Sequence, residues 1–248
     1  MSLKKELASI RDNYVDELNT LITFFETIEK SLKRKLKKKK SVRWTDNDDG
    51  GPAELIIDNS ARQISDDPLS DAINIVLTDA FTQIRNLQYL SEMGLSYLVS
   101  FLEAILKDYL HQVFVHRPSS LKSENKITYK KVLSYTSMKA LVEEIATKEV
   151  EKLGYGSIDD AAEYYKEKFN INFTEYEDWD PIVEACFRRN LIIHNKGITN
   201  EIYCKRIGYK KRGEKLFVDI EYITSLGKKL IGFSEFCYIS FKRVFKFC

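Results

Sequence analysis

The sequence predicts an all-α protein, and three observations carry that expectation. Apolar residues recur at helical spacing over long stretches, beginning with Leu7, Ile10, Tyr14, Leu18, Leu21, Phe25, Ile28 and Leu32. Only 10 Gly and 4 Pro occur in 248 residues, too few for a loop-rich β fold. Hydrophobic residues make up 44% of the chain, enough for a substantial core at this length.

Residues 3–32 read as one long amphipathic helix running into Lys33-Arg34-Lys35-Leu36-Lys37-Lys38-Lys39-Lys40-Ser41-Val42-Arg43. This run holds eight positive charges. The whole chain has a net charge of +2, so without them the remainder stands at −6. The cationic character is therefore local. Three readings fit it: a solvated helix end, since cations suit a helix C-terminus; a strip for the phosphate backbone of a nucleic acid; or attachment to an anionic membrane surface. Residues 45–68 lack periodicity and carry Asp46-Asn47-Asp48-Asp49-Gly50-Gly51-Pro52, which reads as a linker. The expected division is residues 1–68 as N-terminal helix, lysine run and linker, and 69–248 as a helical domain.

A second long helical region spans about 69–115 and ends before Arg117-Pro118. Gly94 is a candidate break or kink. Residues 116–135 are polar and mixed, a helix follows at about 137–152, and Ser157 caps another to about Phe169, with Asp160 placed for a near relative of the capping box. Asp180-Pro181 reads as the start of the next helix, an Asp N-cap followed by Pro at the first helical position. Gly197 reads as its left-handed stop. Ile202-Tyr203-Cys204 and Leu216-Phe217-Val218 lean towards β structure, as a small hairpin or an extended loop. Asp219 caps a final helix over about 220–246.

Several functional classes find no support. There is no phosphate-binding P-loop, dinucleotide fingerprint, zinc-protease helix or serine nucleophile elbow. Cys186, Cys204, Cys237 and Cys248 lack paired metal-ligand spacing and read as reduced thiols of a cytoplasmic protein. No apolar run approaches the roughly 18–20 residues that span a bilayer, and the N-terminus carries no apolar signal segment. The expectation is thus no metal, no cofactor and no membrane.

The polar set that stands out is Phe187-Arg188-Arg189-Asn190-Leu191-Ile192-Ile193-His194-Asn195-Lys196-Gly197. Asn190 and His194 are four apart and share a helix face, with Cys186 one turn before. Upstream, Phe101-Leu102-Glu103-Ala104-Ile105-Leu106-Lys107-Asp108 sets an acid in an apolar helix. Arg189, Asn190 and His194 spell Arg-Asn-x-x-x-His, and with the helix end and the upstream acid the sequence resembles the HEPN domains. The resemblance covers roughly residues 69–248.

The resemblance implies a helical bundle, many of whose members are metal-independent ribonucleases of bacterial toxin–antitoxin and antiphage systems. It implies catalytic roles for Arg189, Asn190 and His194, with Glu103 holding the arginine or the histidine. His194 would exchange protons with the 2′-OH and the 5′-oxygen, Arg189 would meet the charge developing on the phosphate, and the product would carry a 2′,3′-cyclic phosphate. It also implies a homodimer in which two motif helices share one cleft, and an antitoxin or defence-system partner. Lys37, Lys38, Lys39, Lys40, Arg188 and Lys196 are the expected RNA contacts.

Structural readings stand beside these. Glu103 can pair with Lys107 at i,i+4. A buried Asn190 and His194 can satisfy each other or the backbone, with Arg189 in a salt bridge. His111 and His116 read as structural or surface residues. Arg189 and His194 lie five apart, about 140° around an ideal helix, so one helix does not aim both at one point. The competing function is a catalytically silent HEPN-like module that dimerises or binds nucleotide or a partner protein.

Overall fold

The structure, a computed structural model, describes residues 2–37, 42–45, 54–57, 60–63, 68–121, 126–153 and 156–246, with side chains described in 2–31, at 82, and in 84–121, 126–152 and 156–246. The packed body is all-helical. Eight helices are present among the described residues: α1 (Leu3–Lys37), α2 (Pro68–His116), α3 (Tyr129–Val132), α4 (Met138–Leu153), α5 (Ile158–Phe169), α6 (Trp179–Asn195), α7 (Glu201–Ile207) and α8 (Ile220–Val244). Short 3₁₀ turns at Pro118–Leu121 and Phe173–Glu175 join neighbouring helices.

The expected boundary at residue 68 does not isolate α1. Leu3, Leu7, Leu18 and Phe25 are buried in the same core as α2 and α8. Two missing side chains make room for this docking. A Cβ on Gly94 would stand 2.4 Å from the Cζ of Phe25, and one on Gly227 would stand 2.8 Å from Ile22. Gly94 therefore marks no break: α2 runs unbroken through it, and the absent side chain is a socket for an aromatic ring. Tyr14 adds a polar tie, its hydroxyl donating to Asp108 at 2.8 Å.

The stretch Ile84–His116 of α2 is long and apolar enough to cross a bilayer by length and composition, an 18-residue window within it reaching a mean hydropathy of 1.2, which corrects the sequence expectation. Its Leu95, Leu98, Leu102, Leu106, Tyr109 and Val113 are buried in the helical core.

An aromatic cluster fills the body between α5, α6 and α8. Tyr165, Phe169, Phe173, Trp179, Phe233 and Phe241 are all buried there. The buried Tyr165 hydroxyl donates to the Leu106 carbonyl at 2.6 Å and that of Tyr109 to the Ser234 carbonyl at 3.2 Å. Each phenol thus satisfies its one polar atom inside an apolar layer.

Local signals explain most helix ends. Ser157 and Asp160 form the full capping box of α5, and Asp219 accepts the Tyr222 N–H at 2.7 Å to open α8. Two expectations require correction. Ile202-Tyr203-Cys204 is not a strand but part of α7, where Asn200 accepts the Tyr203 N–H at 2.9 Å and buried Tyr203 overrides β propensity; the β pairing near it is an isolated bridge between Ile198 and Lys215. Backbone strands β1 (Val42–Thr45), β2 (Glu54–Ile57) and β3 (Ser60–Gln63), paired antiparallel in sequence order, run from the end of the lysine run into the expected linker. The β-branched Ile56 and Ile57 of β2 suit a strand. Residues 46–53 themselves lie outside the described residues.

Candidate functional site

Helix α6 starts two residues earlier than its Asp-Pro signal predicts. Trp179 is its first residue, Asp178 takes the cap position without a side-chain capping bond, and Pro181 is third. Proline is harmless there because first-turn N–H groups have no intrahelical acceptor. Asp178 instead binds Lys229 of α8. At the other end both Lys196 (φ +53°) and Gly197 (φ +76°) are left-handed, and the Gly197 N–H reaches back to the Leu191 carbonyl at 3.0 Å. Gly197 is pinned further, since its carbonyl accepts the Leu216 N–H at 2.9 Å and a Cβ would stand 3.2 Å from the Leu216 carbonyl oxygen.

Ile182, Val183 and Cys186 face the core. Arg189 leaves that face to form an ion pair with Glu103 of α2, through Nη2 and Oε1. The Arg189 side chain is 20% exposed and that of Glu103 46%. Arg189 Nε is buried and has no hydrogen-bond partner among the described residues. The pair flanks a cleft of about 200 Å³ between α2, the start of α5 and α6, also lined by Lys107, Ser157, Tyr165, Cys186 and Asn190. Glu103 thus turns to Arg189 instead of to Lys107.

Asn190 and His194 are both exposed. This corrects the expectation of a buried pair: the apolar count of α6 is high, yet its last turn protrudes and leaves even Ile193 exposed. Asn190 lines the cleft, whereas His194 does not. Within one chain the structure therefore brings Arg189, Asn190 and Glu103 together and leaves His194 one turn beyond. Burial pushes the Cys186 thiol up to about 12, with Arg189 pulling the other way, so it is protonated at neutral pH and no nucleophile.

Arg188, expected as an RNA contact, is engaged in packing. Its Nε donates to Glu184 at 2.7 Å and its Nη1 to the Phe217 carbonyl at 2.9 Å, and its guanidinium lies over the Tyr222 ring at 4.7 Å. Glu184 also accepts from Tyr203 at 2.5 Å and Tyr222 at 2.6 Å. This carboxylate joins α6, α7 and α8, a role the sequence signals only through the i,i+4 spacing of Glu184 and Arg188. Burial, reinforced by Glu184, raises both phenols, so they stay as donors.

Lys196 is exposed at the end of α6. The side chain of Lys37, and Lys38, Lys39 and Lys40 altogether, lie outside the described residues. The His111 ring lies 3.4 Å from the Thr147 hydroxyl, and His116 Nδ1 is 3.1 Å from the Gln112 carbonyl oxygen. Among the described residues no group of three or more His, Cys, Asp or Glu side chains is placed to hold a metal ion. Comparisons with family models, curated proteins and solved structures give no match.

Proposed function

We propose that this chain is a HEPN-like, metal-independent RNA endonuclease of a bacterial toxin or antiphage defence system. The observation that supports it best is the end of α6: Arg189 held at a cleft by Glu103 from another helix, with exposed Asn190 and His194 on a shared face beside it.

In this reading RNA supplies its own nucleophile. His194 removes the proton from a 2′-OH, whose oxygen attacks the adjacent phosphorus while the bond to the 5′-oxygen breaks. The leaving oxygen takes a proton from a second imidazole, giving a 5′-OH and a 2′,3′-cyclic phosphate. Arg189 stabilises the phosphate as its charge grows, and Asn190 hydrogen-bonds the substrate or orients the histidine. Glu103 is a positioning residue. Because His194 stands outside the cleft of its own chain, the acid and the base come from two α6 ends facing each other in a homodimer. The lysine run of residues 37–40 adds affinity for the RNA backbone and no chemistry.

The test is cleavage of labelled RNA in EDTA. Wild type cleaves, whereas His194→Ala and Arg189→Ala each lose about 10²–10⁴ in rate while keeping their circular dichroism and melting curves. His111→Ala and His116→Ala remain near wild type. Light scattering after size exclusion reads a dimer. Cleavage by a folded His194→Ala protein at the wild-type rate, or activity that chelation abolishes, refutes the mechanism. The second reading, a silent dimerisation or partner-binding module, is favoured by one observation: Arg189 is already compensated by Glu103. A folded, dimeric wild type that leaves every RNA intact selects it.

A further inference from the structure

A second concavity lies away from α6, where the Pro118–Leu121 turn, α3 and α4 meet. Its volume is about 550 Å³, within the range of small-ligand sites. The floor is aliphatic, made by Leu121, Leu141, Val142 and Ile145. On α4 these residues recur at helical spacing, so the helix lays an apolar stripe along the groove. The walls carry Lys126, Lys131, Lys148 and Lys152 against two carboxylates, Glu144 and Glu149.

Those carboxylates already have partners within the chain. Glu144 binds Lys148, Tyr135 and, at 3.2 Å, Lys131. Glu149 takes Lys152 at 2.7 Å and Tyr164 at 3.2 Å. The groove therefore keeps a surplus of ammonium donors, and Lys126 forms no ion pair with another described residue. An apolar floor under a cationic rim suits a guest that is itself divided in this way. The aliphatic stems of the lysines extend the floor while their heads remain at the water boundary.

We infer that this groove binds an elongated organic anion, an aliphatic body seated on Leu121, Leu141, Val142 and Ile145 with a carboxylate or phosphate head among Lys126, Lys131, Lys148 and Lys152. Nucleic acid is the poorer fit. Bases stack on aromatic rings, and the one aromatic ring of the groove, Tyr135, is tied through its hydroxyl to Glu144. The proposal is independent of RNA cleavage, because no residue of the groove borders the Arg189 cleft.

The experiment is calorimetric titration of the full chain with decanoate below its micelle concentration, beside decyl phosphate, decanol and decyltrimethylammonium. One saturable site is expected for an anion, with the alcohol and the cation weaker by roughly tenfold or more. The tighter of the two anions assigns the head group. From octanoate to dodecanoate, each methylene strengthens binding by roughly two- to fourfold until the floor is covered. Lys126→Gln with Lys131→Gln weakens the anion by roughly fivefold and flattens its salt dependence, and Val142→Trp fills the groove and removes binding. Amide NMR shifts confined to α4 and the 118–121 turn place the guest independently of any variant. The inference is overturned if neither anion saturates by millimolar concentration, if decanol binds as tightly, or if shifts fall elsewhere. It is equally overturned if an oligouridylate or octaglutamate displaces decanoate at equal concentration, which would make the groove a general polyanion surface.

Discussion

Glu103 and Arg189 are 86 residues apart in sequence and meet at a partly exposed cleft. An ion pair this wet contributes only about 0.2–1 kcal/mol to stability, so its worth is positional. Glu103→Ala should leave the melting temperature within a few degrees and, on the proposed mechanism, lower RNA cleavage by about 10–100-fold, since a misplaced guanidinium would meet the phosphate poorly; a parallel melt and rate assay reads both. A different carboxylate reports on acid. Hydrogen bonds from Lys148, Tyr135 and Lys131 hold Glu144 down at about 2, below the usual 4.5. A depressed carboxyl stabilises the fold above its unfolded pKa and loses that contribution as pH falls through the folded one. Melting temperature should therefore drop between about pH 4.5 and 2, with a shallower slope in Glu144→Gln. Because the site is exposed, the difference shrinks in high salt.

Helix α1 is held by shape. Gly94→Ala gains about 1 kcal/mol of helix propensity but forces a methyl into the Phe25 ring, and overpacking costs about 1–3 kcal/mol. The expected sum is a loss of roughly 1 kcal/mol by urea denaturation, relieved when Phe25→Leu is added. A stabilised Gly94→Ala protein would show that the ring yields freely. The socket was hidden from the sequence because a glycine inside a helical pattern signals a break as readily as a contact. Capped helices were legible: Ser157 with Asp160, and Asp219, mark α5 and α8 without knowledge of the fold. Helix α7 was not, because Ile202 and Tyr203 favour strands locally and only the burial of Tyr203 against Glu184 reverses the preference. The Glu103–Arg189 contact is reachable through the HEPN resemblance alone, and the exposure of His194 is not legible in the sequence because side-chain apolarity does not reveal where a helix end emerges.

For the molecule as a whole, the core has no seam at residue 68. Leu3, Leu7, Leu18, Ile22 and Phe25 cover surface on α2 and α8 that would otherwise meet water. A chain beginning at residue 69 should lose cooperative unfolding and bind hydrophobic dyes; a sharp melt from that fragment would contradict a shared core. The site depends on the same unity. Arg189 sits on α6, Glu103 on α2 and the opposite wall of the cleft on α5, and α6 itself is clamped to α7 and α8 by Glu184. Mutations in the clamp, such as Glu184→Gln, should reduce stability and the proposed RNA cleavage together, whereas changes at His194 should, on that proposal, touch cleavage alone.

One residue of the aromatic cluster has an optical consequence. Trp179 opens α6, is buried, and lies 5.4 Å from Phe233 in a stacked arrangement and 5.1 Å from Phe173. The chain has 2 tryptophans, the other being Trp44. With Trp44→Phe, all indole emission arises at the root of the motif helix. A dry indole emits at shorter wavelength than a hydrated one, so a red shift reports α6 lifting from α8 even while other helices persist. The protein thus carries its own lamp beside the cleft, and its colour tells a helix that has come loose from one that has merely lost a functional side chain.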